Sequence, residues 1–188
     1  TGTIEHPMNA AIDVTNPPGA RYDWYRALFD HSLNGILLTD PATGGILAAN
    51  PAACRMLGYS EAELLGAQHN IIRHPDMPRG VFKFLWDNIA AGNEVFAYVK
   101  NMSRDGSFYW VFANVTPDYD AAGNIIGYLS VRRAAKRGAL PVLGGLYKAM
   151  LEAEQKAGAK DACDASLALL VGVLNEKGMS YEELIHAL

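Results

Sequence analysis

Cysteine is scarce in this chain of 188 residues, with only Cys54 and Cys163, far apart in sequence. There is no CxxC pair, no zinc-ligand spacing and no disulfide framework, which points to a reducing, cytoplasmic setting. Long apolar runs are lacking too. None approaches the roughly 20 residues of a membrane helix, so no bilayer insertion is expected of this chain. Basic blocks are absent and the net charge is -4, which gives no electrostatic reason to bind nucleic acid or an anionic membrane surface. No basic segment precedes an apolar stretch at the start, so no secretory signal is read. The opening Thr1, where Met is usual, reads as a trimmed or added end. Reactive constellations are missing as well. There is no Ser-His-Asp or Cys-His arrangement, no paired carboxylates in one motif and no glycine-rich phosphate loop, so no catalytic site is expected.

What is present is a sequence of short periodic segments. Residues 1–20, with Pro7, Pro17, Pro18 and Gly19, read as an irregular lead-in. Tyr22, Tyr25, Leu28 and Phe29 fall at helical spacing and predict an amphipathic helix over 21–32. Two apolar runs, 35–39 and 46–49, flank a turn and predict a hairpin. Asn50-Pro51 then starts a short helix that Gly58 ends, and Ser60 with Glu63 makes a capping box. Residues 67–77 read as loop or single turns. Val81, Leu85, Trp86 and Ile89 mark one side of a helix over 81–91. Three strands follow, at 94–101, 107–116 and 125–132, joined by turns at 104–106 and 120–124. The tail carries helical stripes ending near Gly158 and Gly178, then a third helix capped by Ser180 and Glu183. Its apolar stripes fit packing on the sheet and pairing with another chain equally well. The fold class is therefore α+β: a five-stranded antiparallel sheet with short helices on one face, an N-terminal helix and C-terminal helices.

The run from His69 to Pro78, with Arg73-His74-Pro75-Asp76-Met77-Pro78 at its centre, resembles the PAS domain of the bacterial aerotaxis receptors. Val99-Lys100-Asn101, Tyr109-Trp110-Val111, Ala113 to Pro117, and Gly127-Tyr128 with Ser130-Val131-Arg132 extend the match, which covers about residues 30–135. The hairpin over 35–49 is closer to flavin PAS domains of nitrogen-fixation regulators. The resemblance implies a PAS sensor domain, which with the flanking helix read from periodicity runs over 21–135; the tail's helical stripes make an extension over 136–188. It also implies a non-covalently held FAD that reports redox state or oxygen, and a chemotaxis or other signalling partner. Phe108 stands where that family often has His.

Residues that such a cofactor would need have plainer readings beside them. Arg73 offers a planar donor fork for phosphate, or is a solvated loop arginine. His74 and Asp76 flank Pro75 and would make polar contacts with the cofactor; in a haem reading one of the histidines would be the axial ligand. His69, His74 and Asp76 lack the spacing and the fourth ligand of a metal site. Trp86 is a ring-stacking wall, or ordinary core. Asn50 touches the cofactor, or only caps its helix. Asn101 and Asn114 are amides on strands, where Asn is disfavoured; either on a buried face needs a partner, but the face depends on register. Trp110 is a cofactor contact or a sheet-packing residue. Cys54 and Cys163 read as small apolar residues. The reading is a redox sensor whose flanking helices, at 21–32 and 143–157, signal to a partner and pair the chain as a homodimer. Three other readings stand beside it: a cofactor-free interaction module, a haem gas sensor, and a flavin enzyme, which would require steady turnover with a nicotinamide donor.

Overall fold

The computed structural model describes residues 19–188, with side chains from Trp24 onward. Most of the expected lead-in over 1–20 lies outside the described residues, as does the Tyr22 side chain. The chain divides into two compact units: one runs to His69 and takes Tyr119–Ile126, the other holds Asn70–Asp118 and Gly127–Leu188.

In the first unit, α1 (Gly19–His31) is followed by β1 (Leu37–Thr39) and β2 (Ile46–Ala49). The strands pair antiparallel, Leu37 opposite Ala49, with a register shift between Leu38 and Thr39. Asp40 closes their turn, its Oδ1 accepting from the Ala42 amide at 2.8 Å. α2 (Pro51–Leu57) begins at the Asn50 cap and ends on left-handed Gly58. α3 (Glu61–Leu64) has the expected Ser60–Glu63 capping box. Ile46, Ala49, Ala52, Ala53, Leu57 and Leu64 are buried here. Trp24, Tyr25 and Leu28 of α1 stay exposed, and Phe29 is half-buried.

The chain continues with a 3-10 turn at His69–Ile72, then α4 (Arg79–Ala90), β3 (Val95–Met102), β4 (Phe108–Tyr119) and β5 (Ile125–Ala134), all in the second unit except His69 and the Tyr119–Ile126 stretch. All five expected strands are present. They hydrogen-bond as one ladder of β1 and β2 and another in the order β3-β4-β5, not as a single continuous ladder. β3 and β4 run antiparallel from Val95 opposite Val115 to Met102 opposite Phe108. Side chains alternate along a strand, so one face carries Val95, Ala97, Val99 and Asn101 with Tyr109, Val111, Ala113 and Val115. The other carries Phe96, Tyr98, Lys100 and Met102 with Phe108, Trp110, Phe112 and Asn114.

The C-terminal helices pack back onto that second face. α5 (Leu140–Lys177) is interrupted at Gly158, whose φ of 78° and ψ of 169° are not helical, and α6 (Tyr181–Ala187) follows. Tyr147 stacks on Trp110 at 5.9 Å between centroids and donates to the Tyr98 carbonyl at 2.8 Å. His186 meets the rings of Phe96 and Phe112. Leu143, Tyr147, Met150, Leu170 and Ile185 share one buried cluster with Val81, Leu85 and Ile89 of α4 and the β3–β4 valines. Burial on this scale is the main stabilising term, about 25 cal/mol per Å² of apolar surface.

Candidate functional site

The Arg73–Met77 segment lies along the outer edge of β3. Arg73 forms an isolated antiparallel bridge with Asn101, and the His74 amide donates to the Lys100 carbonyl at 3.3 Å. The Lys100 amide in turn donates to the Met77 sulfur at 3.2 Å. A strand edge left bare invites pairing with another chain, and this loop covers part of it. Its polar side chains are largely engaged within the chain. Arg73 Nη2 donates to the Met77 carbonyl at 2.7 Å, and the guanidinium stacks 4.3 Å from the centre of the Phe82 ring. His74 Nδ1 accepts from the Asp76 amide at 3.0 Å. Asp76 pairs with Lys100 Nζ at 2.6 Å, and Lys100 lies 4.2 Å over the Phe108 ring. The Lys100 ammonium holds the Asp76 carboxyl below its ordinary pKa, and burial followed by Lys100 pushes His74 down, against a smaller pull from Asp76.

Asn101 differs from these. It is 3% exposed, and its Nδ2 meets no partner at hydrogen-bond geometry. A buried amide without a partner costs about 1–3 kcal/mol, and native folds seldom leave one so. Burial raises the pKa of Tyr109, its register partner on β4, against smaller pulls from Arg132 and then from the nearby Asn101 amide. Arg132 of β5 acts on the same phenol. The Arg132 side chain keeps accessible surface while surrounding protein desolvates its guanidinium. Tyr128, four residues before Arg132 and on the same side of the strand, meets Trp86 edge-on at 5.6 Å.

Trp86 corrects one expectation. Val81, Leu85 and Ile89 are buried as the periodicity predicts, but Trp86 is 53% exposed. One residue is about 100° of helical turn, which carries it off the buried stripe. Trp110 and Asn114 stand on the opposite face of the sheet from Asn101. Trp110 is stacked under Tyr147, and the Asn114 amide donates to Glu94 Oε1 at 2.7 Å. Asn50 has no capacity to spare. Its Oδ1 accepts from the Ile36 and Ala53 amides at 2.8 and 2.9 Å, and its Nδ2 donates to the Phe29 and Asn34 carbonyls at 3.0 and 2.9 Å. Those four bonds exhaust an amide.

Of the expected residues, the structure therefore gathers Arg73, His74 and Asp76 at the β3 edge, bridged to Asn101. Tyr109 and Arg132 join Asn101, and the sequence reading did not mark either as a site residue; the pairing of Asn101 with Tyr109 was the missing signal. Asn70, Arg73, His74, Pro75, Arg79 and Met102 line a shallow groove of about 530 Å³, within the size range of ligand sites. Among the described residues no group of three His, Cys, Asp or Glu could hold a metal ion. No helix among them is long and apolar enough to cross a membrane.

A family model described as the PAS fold matches residues 24–133. The aerotaxis receptor of Escherichia coli (strain K12) is 38% identical over 105 residues, 56% of this chain and 21% of that protein. The nitrogen fixation regulatory protein of Klebsiella oxytoca is 34% identical over 98 residues, 52% of this chain and 20% of that protein. The chain thus spans about a fifth of the length of these curated relatives. The structure described as "Flavin Analogue Sheds Light on Light-Oxygen-Voltage Domain Mechanism" superposes with a TM-score of 0.51 at 21% identity, covering 73% of this chain and 97% of that one, a likeness of fold.

Proposed function

The chain belongs to the PAS fold family, and on that footing we propose that it is a sensor holding FAD, reading redox state or oxygen rather than turning over a substrate. The observation that carries the reading is the buried, unpartnered Asn101 amide. The polar edge of a flavin ring offers carbonyl acceptors for such an N–H. The His69–Pro78 motif and its resemblance to aerotaxis receptors support the same ligand. When bound, a flavin supplies electron-transfer chemistry that the protein tunes.

The chain's own residues have defined tasks in this reading. Asn101 donates from Nδ2 to the ring edge. Tyr109 keeps its proton and holds a hydroxyl beside that amide. Arg132 brings a positive charge to the same phenol, favouring negative charge nearby. Trp86 against Tyr128 supplies apolar ring surface that excludes water. Arg73 and Arg79 offer guanidinium donors to phosphate along their groove. A change of charge beside Asn101 and Tyr109 alters which hydrogen bonds they favour, and a bias of about 1–3 kcal/mol suffices to signal to a partner such as a chemotaxis protein. A second copy of the chain fits α1, where Trp24 is 72% exposed.

The absorption spectrum of the purified protein, with FAD added back, is the test. A bound flavin spectrum is expected. Asn101→Leu should weaken FAD binding about tenfold or more, the scale of one lost hydrogen bond in a buried site, while Asn114→Leu leaves it unchanged. Folded protein that ignores added FAD would sink the reading in favour of a cofactor-free pairing module, which the exposed Trp24, Tyr25 and Leu28 of α1 also suit. A haem spectrum would sink it in favour of a gas sensor.

A further inference from the structure

Among the contacts of the C-terminal helices with the rest of their unit is one buried carboxylate. Glu154 lies before the Gly158 interruption of α5 and Ser166 after it. Glu154 is 7% exposed and Ser166 is fully buried. Glu154 Oε1 accepts from Ser166 Oγ at 2.7 Å and from the Gly80 amide at 3.0 Å. Gly80 is the second residue of α4, whose N-cap Pro78 contributes no side-chain bond. A helix start leaves its first amides unpaired and carries partial positive charge; here a carboxylate from 74 residues away answers both. Arg73 also feels the Glu154 charge, which offsets part of the burial acting on its guanidinium. The fit admits only glycine at position 80: a Cβ there would stand 2.1 Å from Ser166 Oγ. Both arms of α5, the start of α4 and the Arg73 loop therefore converge on Glu154.

The backbone break at Gly158 means that the second arm is not held by continuous helical bonding to the first. What holds it is packing and this carboxylate. We propose that Glu154 is a releasable latch. It keeps residues 159–177 and α6 against α4 and β3, and once its bonds to Gly80 and Ser166 are lost these helices come away together while β3 and β4 stay folded. The latch is built from protein groups alone and stands whether or not a cofactor binds.

Hydrogen exchange measured by mass spectrometry on the whole chain tests it. Glu154→Ala and Gly80→Ala break the junction from opposite sides. Each is expected to speed exchange across 159–187 at least tenfold, with amides of 95–119 unchanged. Glu154→Gln keeps an Oε1 acceptor and should restore most of the protection. Unchanged exchange in 159–187, or equal loosening of 95–119, overturns the proposal. Should Glu154→Ala not fold, Ser166→Ala decides: a smaller increase confined to 159–187 supports the latch, and a uniform or absent one overturns it.

Discussion

His74 is pulled in two directions. Burial and then the Lys100 ammonium press its pKa below the ordinary 6.5, and Asp76 opposes them. Held neutral, its Nδ1 accepts the Asp76 amide, and its ring meets the edge of Phe108. A histidine with a depressed folded pKa binds fewer protons folded than unfolded across the interval between the two values. Stability therefore falls as pH drops from 6.5 to the folded value, with no further loss from this group below it. Asp76 acts in a separate window: its pairing with Lys100 contributes above the ordinary carboxylate value of 3.8 and fades as pH falls through the lowered one. Thermal melts between about pH 7.5 and pH 5.5, the interval in which histidine titrates, should show a falling midpoint, and His74→Gln should flatten that slope. An unaltered slope in the variant would assign the effect elsewhere. The strand asparagines were conspicuous in the sequence. Their sides were not, because one residue of register exchanges the faces. Asn50 was legible as a cap from Asn-Pro, but its bonds to Ile36, Asn34 and Phe29 reach 14, 16 and 21 residues back, a separation that no local pattern reports. Glu154 was illegible: only the approach of Gly80 and Ser166 marks it among the tail's charges.

At the level of elements, glycines and caps were reliable punctuation. Gly58 and Gly178 end helices in the left-handed conformation, and the Ser60 and Ser180 boxes formed as read. β4 ran past its expected end at Thr116 through Pro117. Its pairing with β3 stops at Val115, so no bond to β3 is lost at the missing Pro N–H. Gly158 marks the expected boundary between two helices, yet helix continues directly on both sides of it. Its φ and ψ of 78° and 169° lie in a region essentially reserved for glycine. Gly158→Ala should cost about 1–3 kcal/mol in denaturant melts; a variant as stable as the parent would show that the interruption relaxes without strain.

For the molecule as a whole, the open question in the sequence was what the tail's apolar stripes cover. Amphipathic spacing says that a face will be buried, not against what. The structure answers with the aromatic face of β3 and β4: Tyr147 under Trp110, and His186 against Phe96 and Phe112. Ending the chain after Ala139 should leave Phe96, Tyr98, Trp110 and Phe112 uncovered, a patch of the kind that drives association. The shortened protein is expected to bind an apolar fluorescent dye or to aggregate. If it stayed monodisperse and dye-free, the helices would be dispensable for covering that face.

The odd and even positions of β3 serve different neighbours. A single residue gained or lost within 95–102 would exchange the amide at Asn101 for the lysine beside it and turn valines to the face that holds Tyr98 and Phe112. An added residue is accommodated instead at the hairpin tips around Gly106 and Gly123, where the backbone reverses and both ladders stay in phase.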